Sequence, residues 1–327
     1  LETDLDFRNE WHGSDGPIPL HRIPRGQWDG FTKAAVQEFE TQGYSFLRDM
    51  NGGFEEGFAA TPLNTLEGSR VSSARAYLDL QTRDRPNLTI RPKTSALRIL
   101  FEGRRASGIE IEFDGGREIV RGQEVILSCG AILTPTLLMR SGIGAVEHLA
   151  EHGISVAADV PGVGQALQEH AAIHVSAYLV PEARVASNEA RHNFVYLRYG
   201  SKLEEARRPD MLLNIAARSG WHAVGYRLAT IQAYILQPFS RGHVRLASAD
   251  PGIPPNIDLN LTGDTRDVER LKDAFKRVVA LYRGSAISEI ALDPFATCYS
   301  DRVRKVGRVT LRNKIAAQTL ATLLDLP

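Results

Sequence analysis

Cysteine is nearly absent from the 327 residues, since only Cys129 and Cys298 occur, far apart in the chain. Two cysteines cannot form the disulfide framework of a small secreted domain, so we expect a reducing compartment. An excess of charge of either sign is also missing, because 39 Lys and Arg residues balance 39 Asp and Glu residues. A nucleic-acid or anionic-membrane partner would favour a basic surplus, and the balance therefore argues against both.

Long apolar runs are missing as well. The longest uncharged stretch, residues 125–139, contains Ser, Gly, Thr and Pro, and it is too short to span a bilayer. Residues 1–10 are acidic and lack the apolar core of a secretion signal. With 43% hydrophobic and 24% charged residues, the composition is that of a soluble protein with about two domains, which we expect in the cytoplasm.

Several motifs of common enzymes are absent. No G-x-G-x-x-G phosphate-binding turn occurs; the nearest approach, residues 142–147, follows a predicted helix and has Glu147 in place of the third Gly. No G-x-S-x-G nucleophile elbow and no paired-cysteine metal site is present. His170 and His174 are four residues apart, but they lead into a strand-like run, which argues against two ligands on one helix face. The sequence therefore predicts no metal site.

Hydrophobic periodicity predicts two sheets and several helices. Residues 31–42 and 267–282 have helical spacing. The apolar stripe predicted for the second helix contains Val268, Leu271, Phe275, Val278, Val279 and Tyr282. Short runs separated by Gly turns predict an antiparallel meander at 88–90, 96–101, 106–112 and 118–120. Further runs predict a second, mostly antiparallel sheet at 173–180, 193–199, 211–216, 231–238 and 243–246.

Between the two predicted sheets lies a strand–turn–helix pattern. Residues 124–128 predict a short buried strand, followed by Gly130 and a helix with Thr134 as N-cap and Pro135 at its first position. A glycine turn at a helix N-terminus lets an anionic or nucleotide ligand approach the backbone. Tight packing of strand and helix explains the same pattern, so these residues alone leave both interpretations open.

Residues 130–144 also resemble the second signature of the glucose-methanol-choline (GMC) flavoenzymes. Other blocks resemble that family in the same order, so that the resemblance extends over residues 11–282 and chance is a poor explanation. These blocks are His12 to Pro17 (HGSDGP), residues 68–78, 85–88, 160–170, 240–246 and 254–258.

The resemblance implies an FAD enzyme that removes a hydride from an alcohol carbon while a histidine takes the hydroxyl proton, giving an aldehyde or ketone. By position, Ala96 matches a residue whose backbone meets the adenine, and Ser128, Cys129 and Gly130 match a strand end near the adenosine half of FAD. Ala172 stands where choline-oxidising relatives carry a Glu that pairs with the quaternary ammonium group. That departure speaks against choline as the substrate, and the expected partner is a small-molecule alcohol.

The implied fold is mixed α/β. Residues 61–164 are expected to form part of a Rossmann-like FAD-binding domain with the meander, and residues 1–60 and 165–327 a substrate domain whose antiparallel sheet is flanked by helices. The family's dinucleotide fingerprint and catalytic histidine block are not found. We therefore assign no catalytic residue within this chain, expect that block beyond Pro327, and expect an inactive internal fragment of a longer enzyme.

Two other functions are compatible with parts of the sequence. A non-catalytic remnant could act by binding alone, without flavin, whereas a nicotinamide-dependent dehydrogenase is disfavoured because it too needs a dinucleotide fingerprint. His222 and His243 are candidates for lining a pocket, and the basic run from Arg302 to Lys314 is typical of a solvated helical face. The residues leave open the alcohol, the electron acceptor and the oligomeric state.

Overall fold

Residues 1–186, 192–298 and 300–325 are described by the structure, a computed structural model, without the side chain of Arg302. That side chain and Pro327 therefore lie outside the described residues. The chain divides into unit 1, which contains Leu1–Thr82, His170–Gln237 and Arg266–Pro327, and unit 2, which contains Arg83–Glu169 and Pro238–Thr265. These limits differ from those of the expected flavin and substrate domains, whose binding roles stay predictions.

The helices of the described residues are short apart from four, which have 11 or more residues. None of them is long and apolar enough to cross a membrane. They are α1 (Gly30–Thr41), α2 (Ser73–Tyr77), α3 (Leu80–Arg83), α4 (Gly130–Arg140), α5 (Val146–Glu151), α6 (Thr265–Arg283), α7 (Ser285–Ser288), α8 (Asp301–Val306) and α9 (Leu311–Leu324).

The strands fall into one large sheet, one meander and several two-stranded pairs. They are β1 (Glu2–Asp4), β2 (Ile18–Leu20), β3 (Gly57–Ala60), β4 (Thr65–Leu66), β5 (Ser69–Arg70), β6 (Ser95–Glu102), β7 (Arg105–Phe113), β8 (Gly116–Arg121), β9 (Ile143–Gly144), β10 (Ala158–Asp159), β11 (Ala172–Leu179), β12 (Asn193–Tyr199), β13 (Met211–Ala216), β14 (Leu228–Ile235), β15 (His243–Arg245), β16 (Asn256–Asp258) and β17 (Ala291–Ala296).

The large sheet of unit 1 confirms the predicted antiparallel sheet and the mixed α/β fold class. Its six strands lie in the order β17-β11-β14-β13-β12-β3, and every neighbouring pair is antiparallel. One predicted member was wrong, because residues 243–246 contribute β15, which pairs with β16 in unit 2. A three-residue strand satisfies its backbone with that local partner and needs no place in the larger sheet.

One face of this sheet carries the core of unit 1. Val175, Ile231 and Ile215 lie side by side on β11, β14 and β13, and each is at most 2% exposed. Helices α1 and α6 contact this face: the ring of Phe39 lies 5.8 Å from that of Phe58, and the Tyr282 hydroxyl donates to the Val175 carbonyl at 2.9 Å. Burial of each apolar side chain on this face contributes about 1.5–3 kcal/mol to the free energy of unfolding.

Helix α1 is confirmed and begins at Gly30, one residue before the predicted start, because Asp29 accepts a hydrogen bond from the backbone N–H of Thr32 at 2.9 Å. Helix α6 is confirmed as well, and Val278 and Tyr282 of its predicted apolar stripe are buried. Phe275 of the same stripe is 40% exposed, whereas the charged Asp267 and Arg270 are 0% and 3% exposed. The buried face is therefore turned away from Phe275 and towards the two charged residues, whose charges are paired.

A buried ion network explains this rotation. The Nη1 atom of Arg270 lies 2.8 Å from Oδ2 of Asp210, and the guanidinium also contacts the carboxylate of Asp267. Its Nη2 donates to the carbonyl of Gln237 at 3.0 Å, and Asp210 accepts from the backbone N–H of Ser201 at 2.6 Å. The network thus ties α6 to the start of β13 and to the end of β14.

In unit 2 the meander β6-β7-β8 is confirmed, with left-handed residues at its turns, including Gly103 (φ +60°) and Gly115 (φ +76°). Residues 88–90 were predicted as its first strand, which is wrong, because they form no strand. The predicted buried strand at 124–128 is wrong too: Ile126 is 80% exposed and no described strand pairs with this run. A strand without a neighbour has no ladder to satisfy its backbone, so the run stays irregular.

Helix α4 begins at Gly130, four residues before the predicted N-cap. The hydroxyl of Thr134 does not cap the N–H groups that follow it, since it accepts from the backbone N–H of Cys129 at 3.1 Å. Pro135 consequently lies inside the helix and not at its first position. The local propensity of Thr134 and Pro135 gave the wrong start because the first turn forms around Gly130 instead.

We predict that Arg270→Met strongly destabilises the protein. The substitution keeps most of the side-chain volume but leaves the buried carboxylates of Asp210 and Asp267 without their shared cation, a change that costs about 3–5 kcal/mol in comparable networks. Chemical denaturation followed by circular dichroism measures the free energy of unfolding. Glu269→Gln is the matched control, because its pair with Lys272 is exposed and should matter by less than about 1 kcal/mol. Equal stabilities for the two variants would contradict the role of the network.

Candidate functional site

Polar side chains line up across the face of the large sheet that is opposite its core. Strand register places Tyr196 beside Asn214, Asn214 beside Gln232, and Gln232 beside His174. Because side chains alternate along a strand and the next residues of β11, β13 and β14 point into the core, these four share the other face. We call them the polar row; it crosses four neighbouring strands over roughly 15 Å.

Side chains of the polar row are hydrogen-bonded to one another, but one acceptor in the row has no hydrogen-bond partner among the described residues. The Nδ2 atom of Asn214 donates to Oε1 of Gln232 at 2.7 Å, and the Tyr234 hydroxyl donates to the same oxygen at 2.8 Å. The ring of Tyr234 lies 6.1 Å from that of His174. Asn214 is 5% exposed, and its Oδ1 atom has no hydrogen-bond partner among the described residues. An unpaired buried acceptor is uncommon in folded proteins and calls for a donor from a water or a ligand.

The polar row carries no charge at neutral pH. Burial lowers the pKa of His174, so its imidazole is neutral, and burial raises the pKa of Tyr196, so its phenol is neutral too. Arg198 lies in the neighbouring row of the same face, but its guanidinium donates to the carbonyls of Glu55 (3.2 Å) and Gly53 (2.6 Å). The surface therefore favours a neutral polar ligand over an ion.

Ala172, singled out in the sequence, lies beside the polar row. It pairs with Tyr234 on β14, and it precedes His174 by two residues, so it shares the same face one row away. The position is half-buried and has no polar group. A side chain at residue 172 would thus be next to any ligand of the polar row.

The expected cofactor residues all lie in unit 2 and are exposed. Ala96 is on β6, opposite Ile111 of β7, and Ser128, Cys129 and Gly130 lead into α4. Helix α4 packs against β6, and the Ser141 hydroxyl after its C-terminal turn accepts from the backbone N–H of Ile99 at 2.8 Å. The fold therefore places the four residues on two elements in mutual contact. Their role in binding stays a prediction.

Gly130 gives a test of whether this segment suits a nucleotide cofactor. It has a left-handed backbone (φ +81°), and an added Cβ atom would meet no atom within 4 Å. Open space therefore adjoins the first turn of α4, as close approach of a ligand to the backbone requires. The described segment fits the adenosine half of FAD in this respect. The phosphate-binding glycine turn is not among the 327 residues.

The other histidines named in the sequence are separated by the fold. His170 precedes β11, while His174 is within it, and His243 is on β15 of unit 2, 4.0 Å from Asp258. His222 does line a cleft of about 820 Å³ in unit 1, together with Trp221 and Arg227. Its Nδ1 accepts from the backbone N–H of Gly225 at 3.0 Å, and burial lowers its pKa.

That cleft is basic, but its two arginines are already engaged. Arg184 donates to Asp325 Oδ1 at 2.9 Å, and Arg227 Nε donates to Oδ2 of the same carboxylate at 2.9 Å. The Tyr178 hydroxyl adds a third bond to Asp325 at 2.6 Å. These donors, Arg227 first, hold the pKa of Asp325 below its usual range. The contact fastens the end of α9 to Tyr178, Arg184 and Arg227 within unit 1. The cleft residues thus have a structural role, so we favour the polar row as the functional site.

Two clusters have the composition of metal sites but are better explained as structural contacts. In unit 1, His12 lies between Asp4 (3.2 Å) and Asp49 (2.6 Å), and Arg22 binds Asp4 at 2.8 Å, so a guanidinium already supplies the cation. The second cluster, in unit 2, contains His148, Glu151 and His152.

Both ring nitrogens of His148 are engaged. Its Nε2 accepts from the backbone N–H of Leu246 at 3.0 Å, and its Nδ1 lies 3.1 Å from the carboxylate of Glu151. The imidazole thereby links α5 to the residue that follows β15. Neither nitrogen is left over for a metal ion.

Sequence reasoning missed three of the four residues in the polar row. His174 was considered only as a metal ligand, and Tyr196, Asn214 and Gln232 were not considered. A signal was present: each is a polar residue flanked by apolar neighbours in a strand-like run. Strand order and register, which the sequence does not state, were needed to bring the four into one line.

Comparison with known proteins yields one family. The sequence models of the two domains of the GMC oxidoreductases match this chain, the N-terminal domain over residues 25–172 and the C-terminal domain over residues 238–322. The matched regions together cover more than half of the chain.

Curated relatives with assigned activities are similar over most of the chain. It is 36% identical over 301 residues to 5-(hydroxymethyl)furfural oxidase of Methylovorus sp. (strain MP688), which covers 89% of this chain and 55% of that protein. It is 31% identical over 298 residues to oxygen-dependent choline dehydrogenase 1 of Chromohalobacter salexigens, which covers 82% of this chain and 52% of that protein. The chain thus spans about half the length of these relatives.

A solved structure agrees with the fold. Pyridoxine 4-oxidase from Mesorbium loti superimposes with a TM-score of 0.80 at 25% identity, over 92% of this chain and 60% of that one. The order of strands and helices described above is therefore that of a known flavoenzyme architecture.

We predict that His174 titrates below the ordinary histidine pKa of about 6.5. The folded state then binds fewer protons than the unfolded state, so the free energy of unfolding should fall as pH drops through 6.5 towards the lowered pKa. His174→Gln removes the contribution of this imidazole to the pH dependence. The difference in the free energy of unfolding between the original protein and the variant should therefore shrink or reverse as the pH drops below 6.5. Histidine proton NMR of both proteins identifies the resonance of His174, and a midpoint at or above 6.5 would refute the prediction.

Proposed function

The chain belongs to the GMC oxidoreductase family, whose members depend on FAD, and we propose that this protein oxidises the carbinol carbon of a small neutral alcohol. The reacting carbon would lose a hydride and the hydroxyl oxygen a proton, giving an aldehyde or ketone. The oxidation is proposed for the protein as a whole, because the chain spans about half the length of its curated relatives.

The uncharged polar row is the observation that carries the choice of substrate. Neutral imidazole, phenol and amide groups can hydrogen-bond an alcohol without holding an ion. Two of the similar proteins bear the names of oxidases for hydroxymethyl-bearing aromatic compounds, 5-(hydroxymethyl)furfural and pyridoxine. Others are choline dehydrogenases, but Ala172 offers no carboxylate beside the polar row for a quaternary ammonium group. These points support an aromatic or heteroaromatic primary alcohol.

The roles proposed for the described residues are binding and orientation. The polar row would position the alcohol by hydrogen bonds, and the exposed start of α4 at Gly130 with Ala96 on β6 would receive the adenosine half of the cofactor. FAD, when bound, supplies the acceptor for the hydride. The family resemblance implies a histidine base, to which no residue of this chain is assigned. That expectation stays a prediction.

Purified protein should show the visible absorption spectrum of a bound flavin. In the whole protein of which this chain is expected to be a part, anaerobic addition of 5-(hydroxymethyl)furfural should bleach it, because oxidation of the carbinol reduces the cofactor, while choline at equal concentration should act at least roughly tenfold more slowly. Stopped-flow absorbance measures both rates, and mass spectrometry of the released cofactor identifies FAD. Protein that lacks flavin even when expressed with added riboflavin would instead favour a non-catalytic binding role.

We further predict that Ala172→Glu improves choline as a substrate. A carboxylate beside the polar row would attract a quaternary ammonium group, and about 1.4 kcal/mol of added binding in the transition state raises kcat/KM about tenfold. Ala172→Gln is the matched control because it has nearly the same size but no charge. Similar choline kinetics for the two variants would show that residue 172 does not contact the ammonium group.

A further inference from the structure

The centre of the polar row contains an acceptor whose donor is missing. Asn214 is 5% exposed, and its Oδ1 has no hydrogen-bond partner among the described residues, although its Nδ2 is bonded to Gln232 at 2.7 Å. Removing an amide oxygen from water without replacing its hydrogen bond is unfavourable. A group that donates a hydrogen bond to this oxygen would therefore gain binding free energy that an apolar group of the same size cannot gain.

Gln232 supplies the complementary donor. Its Oε1 already accepts from both Asn214 Nδ2 (2.7 Å) and the Tyr234 hydroxyl (2.8 Å). These two bonds fix the orientation of the amide, because its oxygen must face both donors. The two N–H groups of Gln232 are consequently left for another acceptor, on the strand next to Asn214.

One acceptor and one donor on neighbouring strands match a hydroxyl group, which both donates and accepts. We propose that Asn214 and Gln232 are specificity-determining residues that bind a second hydroxyl of the substrate, distinct from the carbinol being oxidised. The preferred substrates are then neutral diols, in which a remote hydroxyl donates to Asn214 Oδ1 and accepts from Gln232 Nε2. This inference rests on the proposed alcohol oxidation.

The neutrality of the surrounding groups favours a hydroxyl over a carboxylate or an ammonium group. His174 on the adjoining strand is uncharged because burial lowers its pKa, and Tyr196 is uncharged because burial raises its pKa. A carboxylate would meet the lone pairs of Asn214 Oδ1, and an ammonium group would find one neutral acceptor and no counter-ion in the row. Only a neutral group with both a proton and a lone pair satisfies both amides.

The test compares two alcohols of equal shape, 1,4-benzenedimethanol and 4-ethylbenzyl alcohol, with the whole flavin-loaded protein that contains this chain. They differ in one position, where the first has a hydroxyl and the second a methyl group. We expect kcat/KM to favour the diol by roughly 10- to 100-fold, after correction for its two equivalent carbinols. The difference should lie mainly in KM, because a bond that is equally strong before and during reaction changes binding and not kcat.

Asn214→Leu keeps the approximate volume of the side chain and removes its acceptor. It should reduce the preference for the diol to within about threefold, chiefly through a higher KM for the diol. Gln232→Met is a second variant at a less buried position, and it should act in the same direction. Thr230→Val is the matched control, since Thr230 lies on the same face of β14, two residues from Gln232, and bonds Ser176 at 2.7 Å. It should keep the preference for the diol.

The outcomes separate this inference from the proposed function. If both alcohols are oxidised with equal kcat/KM, an ordinary water satisfies Asn214 and the inference is wrong, while alcohol oxidation stands. If the preference for the diol exists but survives in both Asn214→Leu and Gln232→Met, other residues bind the second hydroxyl and the inference is again wrong. If neither alcohol reduces the flavin, the proposed function fails and the inference fails with it.

Discussion

Strand register in the six-stranded sheet decides what each side chain of unit 1 can do. Side chains alternate between faces, so a slip of one residue in any strand would exchange its core residues for its polar ones. The observed register aligns Val175, Ile231 and Ile215 on the core face and, one residue along, His174, Gln232 and Asn214 on the other. The same hydrogen bonds that bury the core therefore assemble the polar row, and the site needs no loop to bring its residues together.

The helix side of this sheet buries charged groups, whereas the polar row on its other side is neutral. On the helix side, Arg270 is buried with Asp210 and Asp267, and its cost of desolvation is offset because opposite charges and hydrogen bonds surround it. On the polar row the groups are neutral, and burial itself keeps His174 and Tyr196 uncharged. A ligand on the polar row consequently meets dipoles that accept and donate, while the charged Arg198 lies in the neighbouring row and donates to backbone carbonyls.

The sequence alone predicted the sheet, the meander and the long helices, because their periodicities extend over enough residues to be unambiguous. The sequence-based prediction was wrong where tertiary contacts overrode a local preference. Thr134 and Pro135 indicated a helix start, but the first turn forms around Gly130. The apolar stripe of α6 indicated Phe275 as core together with Val278 and Tyr282, but the buried ion network turns the inward face towards Arg270 and leaves Phe275 exposed. The expected cofactor residues came from motif order and stay a prediction. The polar row could not be predicted in this way, because its members come from four strands and only register aligns them.

We propose that substrate preference in the whole protein depends on two separate features of this sheet face. Ala172 would decide whether a positive charge is tolerated, because it is the position beside the row where a carboxylate would lie. Asn214 and Gln232 would decide whether a second hydroxyl is bound, because Oδ1 of Asn214 is an acceptor without a partner among the described residues. A neutral amide pair gives up less than a carboxylate when an uncharged ligand covers it, since the penalty for burying a dipole is far smaller than that for burying an ion. The proposed surface would then bind neutral alcohols of different ring types, and it would discriminate among them by the position of the second hydroxyl and not by charge.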